Sequence, residues 1–193
     1  MSIYVILNIR VMLPEFDING LLPPGDYHLT LAKLRDSVLV HGPKKALSPT
    51  WDAGWRRTLV SNLEILAKQL WAVGIANIFV NGSFVEDKDH PNDIDGYFEC
   101  SRGDWISGRL QQELNLLDPF KIWTWDPKSR APHPDSIKKE LPMWHIYRVE
   151  LYPHYGQLSG IRDSAGYELK FPSAFRQSRR ECRPKGIVRL LKA

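Results

Sequence analysis

The sequence has little cysteine and no strong excess of charge of either sign. The shortage of cysteine excludes two classes of protein, whereas the charge balance leaves the partner open. The sequence contains two cysteines, Cys100 and Cys182, which is too few for a disulfide framework or a cysteine-rich zinc site. This composition fits a reducing compartment. Lysine and arginine number 26 and aspartate and glutamate 22, giving a formal charge of +4. Such a mild excess permits an anionic partner but does not require one.

Long hydrophobic runs are also missing. The apolar stretch Ile3–Leu13 is interrupted by Asn8 and Arg10 and is far shorter than the roughly 18–20 residues of a membrane-spanning helix. It lacks the basic region and small-residue cleavage site of a secretory signal. We expect this stretch to form a buried strand or a tail packed on the core, and we expect no membrane partner.

Apolar periodicity predicts one strong helix and two weaker ones. Apolar residues at steps of four and three line one face of a helix over Gly54–Val73, and Gly74 follows as its C-terminal cap. The same spacing predicts shorter helices over Thr30–Val40 and Trp105–Leu117.

Three short segments are typical of strands. Ile75–Asn81 is compact, apolar and rich in β-branched residues, Ile94–Cys100 alternates in polarity, and Trp144–Tyr152 is rich in aromatic residues. The stretch Asp118–Pro142 is rich in proline, tryptophan and charge, so we expect a long irregular insert there.

These elements predict an α/β (α+β) fold, with a small mixed sheet and helices packed on one face. The length is that of one domain. We divide it into an N-terminal extension at residues 1–50, a core at 51–160 and a basic C-terminal segment at 161–193. The basic segment is either a solvated end or an anion-binding surface, and its bases between 176 and 192 are Arg176, Arg179, Arg180, Arg183, Lys185, Arg189 and Lys192.

The most informative motif follows the first predicted strand. Gly82-Ser83 ends that strand, and nine residues later comes Asp93-Ile94-Asp95. Glycine lets the backbone approach a ligand closely, and Ser83, placed at a helix N-terminus, would bind a phosphate. Asp93 and Asp95 are two apart on an extended segment, so both carboxylates face one side of the sheet. Two such carboxylates suit Mg²⁺, which completes its shell with water and substrate phosphates.

This spacing resembles the signature of the nucleotidyltransferase superfamily with the DNA polymerase beta fold. The resemblance implies that Asp93 and Asp95 bind catalytic Mg²⁺ or Mn²⁺, and that a third carboxylate comes from a later strand. Glu150, in the predicted strand Trp144–Tyr152, matches that position best, although the family more often has aspartate there. The resemblance also implies that Gly82 and Ser83 bind the phosphates of a nucleoside triphosphate such as ATP.

Further blocks narrow the resemblance to a small bacterial and phage branch of that superfamily. They are Leu22-Pro23-Pro24-Gly25, Asn81-Gly82-Ser83-Phe84-Val85 and Pro184-Lys185-Gly186-Ile187-Val188. The wider group includes toxins and antitoxins of toxin–antitoxin and phage-defence systems, so the resemblance implies a cytoplasmic prokaryotic protein. Lys185, held between proline and glycine, is placed to contact the triphosphate.

The expected activity is metal-dependent transfer of a nucleoside monophosphate to an acceptor hydroxyl. The basic segment favours RNA, such as a tRNA end, as acceptor, which would make the protein a toxin. Two alternatives stay open: an antitoxin-type enzyme that modifies a partner protein, and a non-catalytic module that binds nucleic acid or protein. Trp123, Trp125 and Trp144 either stack on bases or fill the core.

Overall fold

The structure is a computed structural model that describes residues 13–44, 48–134, 136–178 and 181–193. The prediction for Ile3–Leu13 falls almost wholly outside the described residues, as do Arg179 and Arg180 of the basic segment. Within the described ranges, no helix has the length and apolar composition needed to cross a membrane.

Seven helices and nine strands are described, along with two short 3₁₀ turns. The helices are α1 (Leu31–Arg35), α2 (Val38–His41), α3 (Ala53–Ala72), α4 (Arg102–Ile106), α5 (Arg109–Leu117), α6 (Pro142–Tyr147) and α7 (Phe171–Ala174). The strands are β1 (Asp26–Thr30), β2 (Ile78–Asn81), β3 (Ile94–Glu99), β4 (Ala131–Pro132), β5 (Lys139–Glu140), β6 (Val149–His154), β7 (Leu158–Arg162), β8 (Glu168–Lys170) and β9 (Ile187–Leu191).

Helix α3 confirms the strongest sequence prediction. Asp52 caps its start, because the Oδ1 atom accepts a hydrogen bond of 2.8 Å from the backbone N–H of Trp55. Gly74 adopts a left-handed φ of 86° after its end, and the N–H of Ile75 bonds the carbonyl of Leu70 at 3.0 Å. The predicted apolar face is fully buried at Leu59, Leu63, Leu66 and Leu70.

The central sheet has five strands in the order β1-β9-β2-β3-β6. Strands β1 and β9 pair in parallel, as do β3 and β6, whereas β2 is antiparallel to both of its neighbours. The mixed α/β class is therefore confirmed. Because β1 lies in the predicted extension and β9 in the predicted basic segment, both ends of the chain contribute strands to the sheet that carries the site.

The two faces of the sheet are covered differently. Helix α3 lies on one face with α1, α2, α5 and α6 against it, over the main apolar core. The other face carries a smaller cluster of Phe79, Tyr97 and Ile187, against which Phe171 and Phe175 pack. The larger helices thus occupy one face, as predicted.

Two predicted helices are each divided in the structure. Thr30 ends β1 and its hydroxyl caps α1, while the Ser37 hydroxyl caps α2, so the prediction of one helix over Thr30–Val40 was wrong. The predicted helix Trp105–Leu117 is divided between α4 and α5 because Gly108 adopts a φ of 72°. Hydroxyl caps and glycine interrupt helices that apolar spacing alone would continue.

The predicted strand Trp144–Tyr152 was wrong over its first half. Pro142 begins the short helix α6, where its missing N–H costs nothing. Arg148 ends α6 with a left-handed φ of 53°, and β6 begins only at Val149. The strand predicted over Ile75–Asn81 is also shorter, because β2 begins at Ile78.

Candidate functional site

Three segments that are far apart in sequence meet beside β2. The N–H of Gly186 donates to the carbonyl of Leu22 at 2.8 Å, and the side-chain amide of Asn81 donates to the carbonyl of Gly186 at 3.1 Å. Gly186 has no room for a side chain, because a Cβ there would lie 2.5 Å from the carbonyl oxygen of Pro23. The three sequence blocks beginning at Leu22, Asn81 and Pro184 therefore form one wall.

This wall borders a cleft of about 860 Å³. The cleft brings together Gly82, Ser83, Asp93, Asp95 and Lys185, which are all the predicted site residues except Glu150. Further residues complete its lining, among them Asn19, Lys88 and Lys138 from loops and Arg162 at the end of β7. The predicted grouping around the two aspartates is thus present as a single concave surface.

Gly82 lies directly against Asp95. Asn81 pairs with Asp95 across β2 and β3, and its side chain accepts a 2.7 Å bond from the N–H of Gly82. Gly82 has a φ of 71°, and a Cβ there would lie 2.6 Å from the Oδ2 atom of Asp95. A side chain at this position would be strained by the positive φ and would displace Asp95, so glycine lets the backbone lie directly against the carboxylate. The approach of a ligand to this backbone stays a prediction.

Ser83 lies in a four-residue 3₁₀ turn, Gly82–Val85. The expectation that it starts an α-helix was wrong, because the chain leaves the turn as extended backbone at Glu86. A single turn has too few aligned peptides to supply a helix dipole. The contribution of Ser83 to the cleft is therefore local: its hydroxyl and its backbone groups.

Asp93 is largely buried, and a tryptophan holds its carboxylate. The indole N–H of Trp144 donates to the Oδ2 atom of Asp93 at 2.7 Å. Lys138 lies near both aspartates and bonds the Oε1 atom of Glu140 at 2.5 Å. Burial acts to lower the pKa of Lys138, but the bond to Glu140 and the charges of Glu140, Asp93 and Asp95 raise it. A permanent cation therefore stands beside the carboxylate pair.

Lys185 is buried in the wall of the cleft. Its Nζ atom donates to the carbonyl of Gly82 at 3.0 Å and to the Oε1 atom of Glu86 at 2.5 Å. These bonds hold the Gly82 turn in place. Contact of Lys185 with a triphosphate stays a prediction.

Glu150 is adjacent to Asp95 in register, since β3 and β6 pair these two residues. Its carboxylate has other partners, however: the Oε1 atom accepts 2.8 Å from the N–H of Leu141, and the Oε2 atom accepts from the Tyr152 hydroxyl. Burial and the charge of Glu150 raise the pKa of Tyr152. Glu150 does not line the cleft. Its role as a third metal ligand stays a prediction. These contacts do not favour that role, because both carboxylate oxygens already accept hydrogen bonds.

The candidate cation ligands in the cleft are Asp93 and Asp95. Over the described part of the chain, no three histidine, cysteine, aspartate or glutamate side chains converge as a metal centre. Asp93 and Asp95 do share the cleft, and two carboxylates with substrate phosphates are a usual shell for Mg²⁺. The residues present therefore fit Mg²⁺ or Mn²⁺ bound together with a nucleotide.

A second cavity, of about 290 Å³, adjoins the cleft and shares Asn92, Asp93 and Lys138 with it. Arg148 lies over the ring of Trp144 at 3.8 Å and donates to the Nε2 atom of His133 at 3.1 Å. The sequence prediction missed this cavity because Trp144 and Arg148 were assigned to a strand. The signal that was present is the Leu141-Pro142 step, which is typical of a helix start.

Several bases of the basic segment pair with other residues of the protein, and two of the tryptophans pack in its core. Arg176 pairs with Asp26, Arg183 with Glu181, and Arg189 bonds Asn77. Trp123 is fully buried, and Trp125 donates to the carbonyl of Leu151 at 2.8 Å. Of the two alternatives for these tryptophans, filling the core is what the structure supports.

Comparison with known proteins gives one match. The family model described as "Family of unknown function (DUF6932)" matches residues 14–191, which is nearly the whole chain. The comparisons with curated proteins and with solved structures returned no match.

Proposed function

This chain belongs to DUF6932, a family of unknown function, and from its site we propose that it is a metal-dependent nucleotidyltransferase. The reaction transfers a nucleoside monophosphate from a nucleoside triphosphate to an acceptor hydroxyl. The hydroxyl releases its proton to solvent as its oxygen bonds the α-phosphorus. The bond from the α-phosphorus to the oxygen bridging the β-phosphate breaks, and pyrophosphate leaves with that oxygen. Mg²⁺ or Mn²⁺ is the proposed cofactor.

The observation that carries the proposal is the placement of Gly82 against Asp95, with Asp93 lining the same cleft. A bare backbone next to two carboxylates suits a phosphate chain that arrives with its cation. When bound, the cation neutralises the phosphates and lowers the pKa of the attacking hydroxyl.

The protein groups have separate tasks in this proposal. Asp93 and Asp95 hold the cation, and the indole N–H of Trp144 fixes one oxygen of Asp93. Ser83 donates its hydroxyl and backbone N–H to phosphate oxygens. Lys185 keeps the Gly82 turn in position, while Lys138 supplies positive charge beside the α-phosphate, where negative charge develops in the transition state.

We propose RNA, such as a tRNA end, as the acceptor, and a cytoplasmic role as a toxin of a toxin–antitoxin or phage-defence system. The support is the set of three sequence blocks that resemble that branch and meet at the cleft. A partner protein as acceptor, as for an antitoxin, is the alternative within the same chemistry.

A non-catalytic binding module is a second candidate, and one observation favours it. Glu150 accepts bonds from Leu141 and Tyr152 and does not line the cleft, so Asp93 and Asp95 lack the third carboxylate from a later strand that the resemblance implies. In this candidate the cleft binds a nucleotide without transferring it.

Label transfer separates these candidates. The protein is incubated with each of four α-labelled nucleoside triphosphates, Mg²⁺ or Mn²⁺, and a lysate of cellular RNA and protein. We expect label on RNA, reduced on the order of 10²–10³-fold in Asp93→Asn/Asp95→Asn and unchanged in Asp36→Asn, an exposed control with the same chemical change. Label on a protein band would identify the protein acceptor instead.

A thermal shift with Mg²⁺ and nucleotide is measured in parallel, because a ligand that binds the folded state raises its melting temperature. A shift without any label would support the binding module. Neither label nor shift, from folded protein, would overturn the proposed nucleotide site.

A further inference from the structure

The cleft and the smaller cavity meet at one carboxylate. Asp93 lines both, together with Asn92 and Lys138. In phosphoryl transfer the attacking and leaving oxygens lie roughly in line on opposite sides of the phosphorus. With the triphosphate in the cleft beside Gly82, the smaller cavity reaches the shared Asp93 from a different set of side chains and so offers a separate approach for the attacking hydroxyl.

The smaller cavity contains an arginine whose position is set by its surroundings. Arg148 lies over the Trp144 ring and donates to His133, and Trp144 is itself bonded to Asp93. The guanidinium group is planar and presents paired donors that match a phosphate. The Trp144 ring and the bond to His133 together orient the guanidinium group beside Asp93.

The backbone of Arg148 strengthens this argument. Its φ of 53° is left-handed, a conformation that glycine or asparagine adopts more easily at the end of a helix. The turn alone therefore gives no reason for arginine. Backbone strain of this kind is concentrated at functional sites, and here it accompanies a side chain that lines a cavity.

Resting on the proposed function, we infer that the smaller cavity is the acceptor site and that it binds the phosphate-bearing terminal nucleotide of a single-stranded RNA through Arg148. The volume of about 290 Å³ is at the lower limit of ligand pockets, so it admits one terminal group and not a duplex. A serine, threonine or tyrosine acceptor carries no anion for the Arg148 fork, which is why RNA fits better than a protein.

Binding is tested without catalysis. A 12-nucleotide single-stranded RNA, fluorescently labelled at its 5′ end and with a free 3′ hydroxyl, is titrated with protein in EDTA and without triphosphate, and its anisotropy is measured. Arg148→Asn removes the guanidinium group and tolerates the left-handed backbone. We expect it to weaken binding about tenfold or more, whereas Arg102→Asn, an exposed control with the same charge change, stays within about twofold.

Further measurements separate the geometry of the guanidinium group from its charge. They also distinguish RNA from a free mononucleotide as the source of the bound phosphate. Arg148→Lys keeps the charge but loses the fork, so we expect intermediate binding. RNA ending in a 3′ phosphate should bind more weakly than the hydroxyl form, because the extra anion meets Asp93. If free AMP displaces the RNA at equal concentration, the cavity takes mononucleotides and the RNA inference fails.

The inference is overturned if folded Arg148→Asn binds the RNA as tightly as the wild type, or if the wild type does not bind it. The thermal shift with Mg²⁺ and nucleotide is independent of this result. Loss of RNA binding with that shift intact in Arg148→Asn supports two separate sites. An absent shift in the wild type would contradict the nucleotide site and leave the RNA measurement standing.

Discussion

The two adjoining cavities are built in different ways. The wall of the large cleft is made of backbone turns between strands, held by main-chain bonds such as that from Gly186 to Leu22. The smaller cavity is lined by side chains from α6 and from the segment that includes β4 and β5. Behind one of its lining residues, Glu140, Arg130 lies 3.7 Å from Glu140 and 3.6 Å from Glu150. The shape of the large cleft therefore depends on how closely its backbone turns fit together. The shape of the smaller cavity depends on the ion pairs that hold its side chains.

Asp93 lines both cavities and connects them. It precedes β3 in the central sheet, but its carboxylate is oriented by Trp144 of α6. A change on either side should therefore reach the shared carboxylate, while changes far from it should affect one cavity only. Substitutions in each wall test this difference.

The largest expected effect is from Arg130→Met. Glu140 and Glu150 are both nearly buried and share Arg130 as an ion-pair partner, so its removal leaves two buried carboxylates without their common cation. Glu140 keeps its pair with Lys138, and Glu150 keeps its bonds from Leu141 and Tyr152. We therefore expect the free energy of unfolding to fall by about 2 kcal/mol, measured by chemical denaturation. RNA binding should be lost while the nucleotide thermal shift persists. Arg102→Met is the exposed control, and equal loss of both ligands would contradict the separation of the two walls.

Gly82→Ala should have a smaller effect on stability, confined to the large cleft. A left-handed alanine costs about 1–2 kcal/mol, and its Cβ would also displace the Asp95 carboxylate. Gly74→Ala is a matched control, because Gly74 has a φ of 86° and a Cβ added there would have no neighbour within 4 Å. We expect both to lower the melting temperature and only Gly82→Ala to abolish the nucleotide shift. If Gly82→Ala retains that shift, Gly82 is not at the phosphate site.

Lys138→Met should have a still smaller effect, on cation binding where the two cavities meet. The ammonium group repels a cation from Asp93 and Asp95, whose charges act on it. Its removal should tighten Mn²⁺ binding in the absence of nucleotide about 3–10-fold, because the Lys138 side chain is 62% exposed and a Coulomb interaction in water is worth about 1 kcal/mol. Electron paramagnetic resonance titration measures this, with the exposed neighbour Lys139→Met as control. Weaker Mn²⁺ binding would show that Lys138 does not act on the aspartates.

The smallest effect concerns pH. Because the folded-state pKa of Lys138 is raised, its pairing with ionised Glu140 stabilises the fold from neutral pH up to the unfolded lysine value of about 10.4 and is lost as pH rises through the folded value. The difference in melting temperature between the wild type and Lys138→Met should therefore be constant from about pH 7 to 9 and narrow above about 10.4. A difference that disappears near neutral pH would contradict this pairing.

Much of the large cleft was predictable from sequence because its determinants are local. The Gly82-Ser83 turn indicates where a strand ends, and the alternation in Asp93-Ile94-Asp95 indicates which way the side chains face. Both patterns span only a few residues. The Glu150 contacts were not predictable in this way. Its position on a strand followed from the pattern, but its partners Leu141 and Arg130 come from an irregular region whose path no periodicity describes.

Backbone periodicity and capping act over a few residues, so they could be read directly from the order of amino acids. They were enough to set the α/β class, the course and end of helix α3, and the placement of two aspartates on one side of a strand. Packing of the whole chain was needed to bring Trp144 to Asp93 across 51 residues, and to lay Arg148 over Trp144 beside a second cavity. Hydrogen bonds and ring contacts depend on distance in space, and between residues this far apart in sequence that distance is set only when the core has formed.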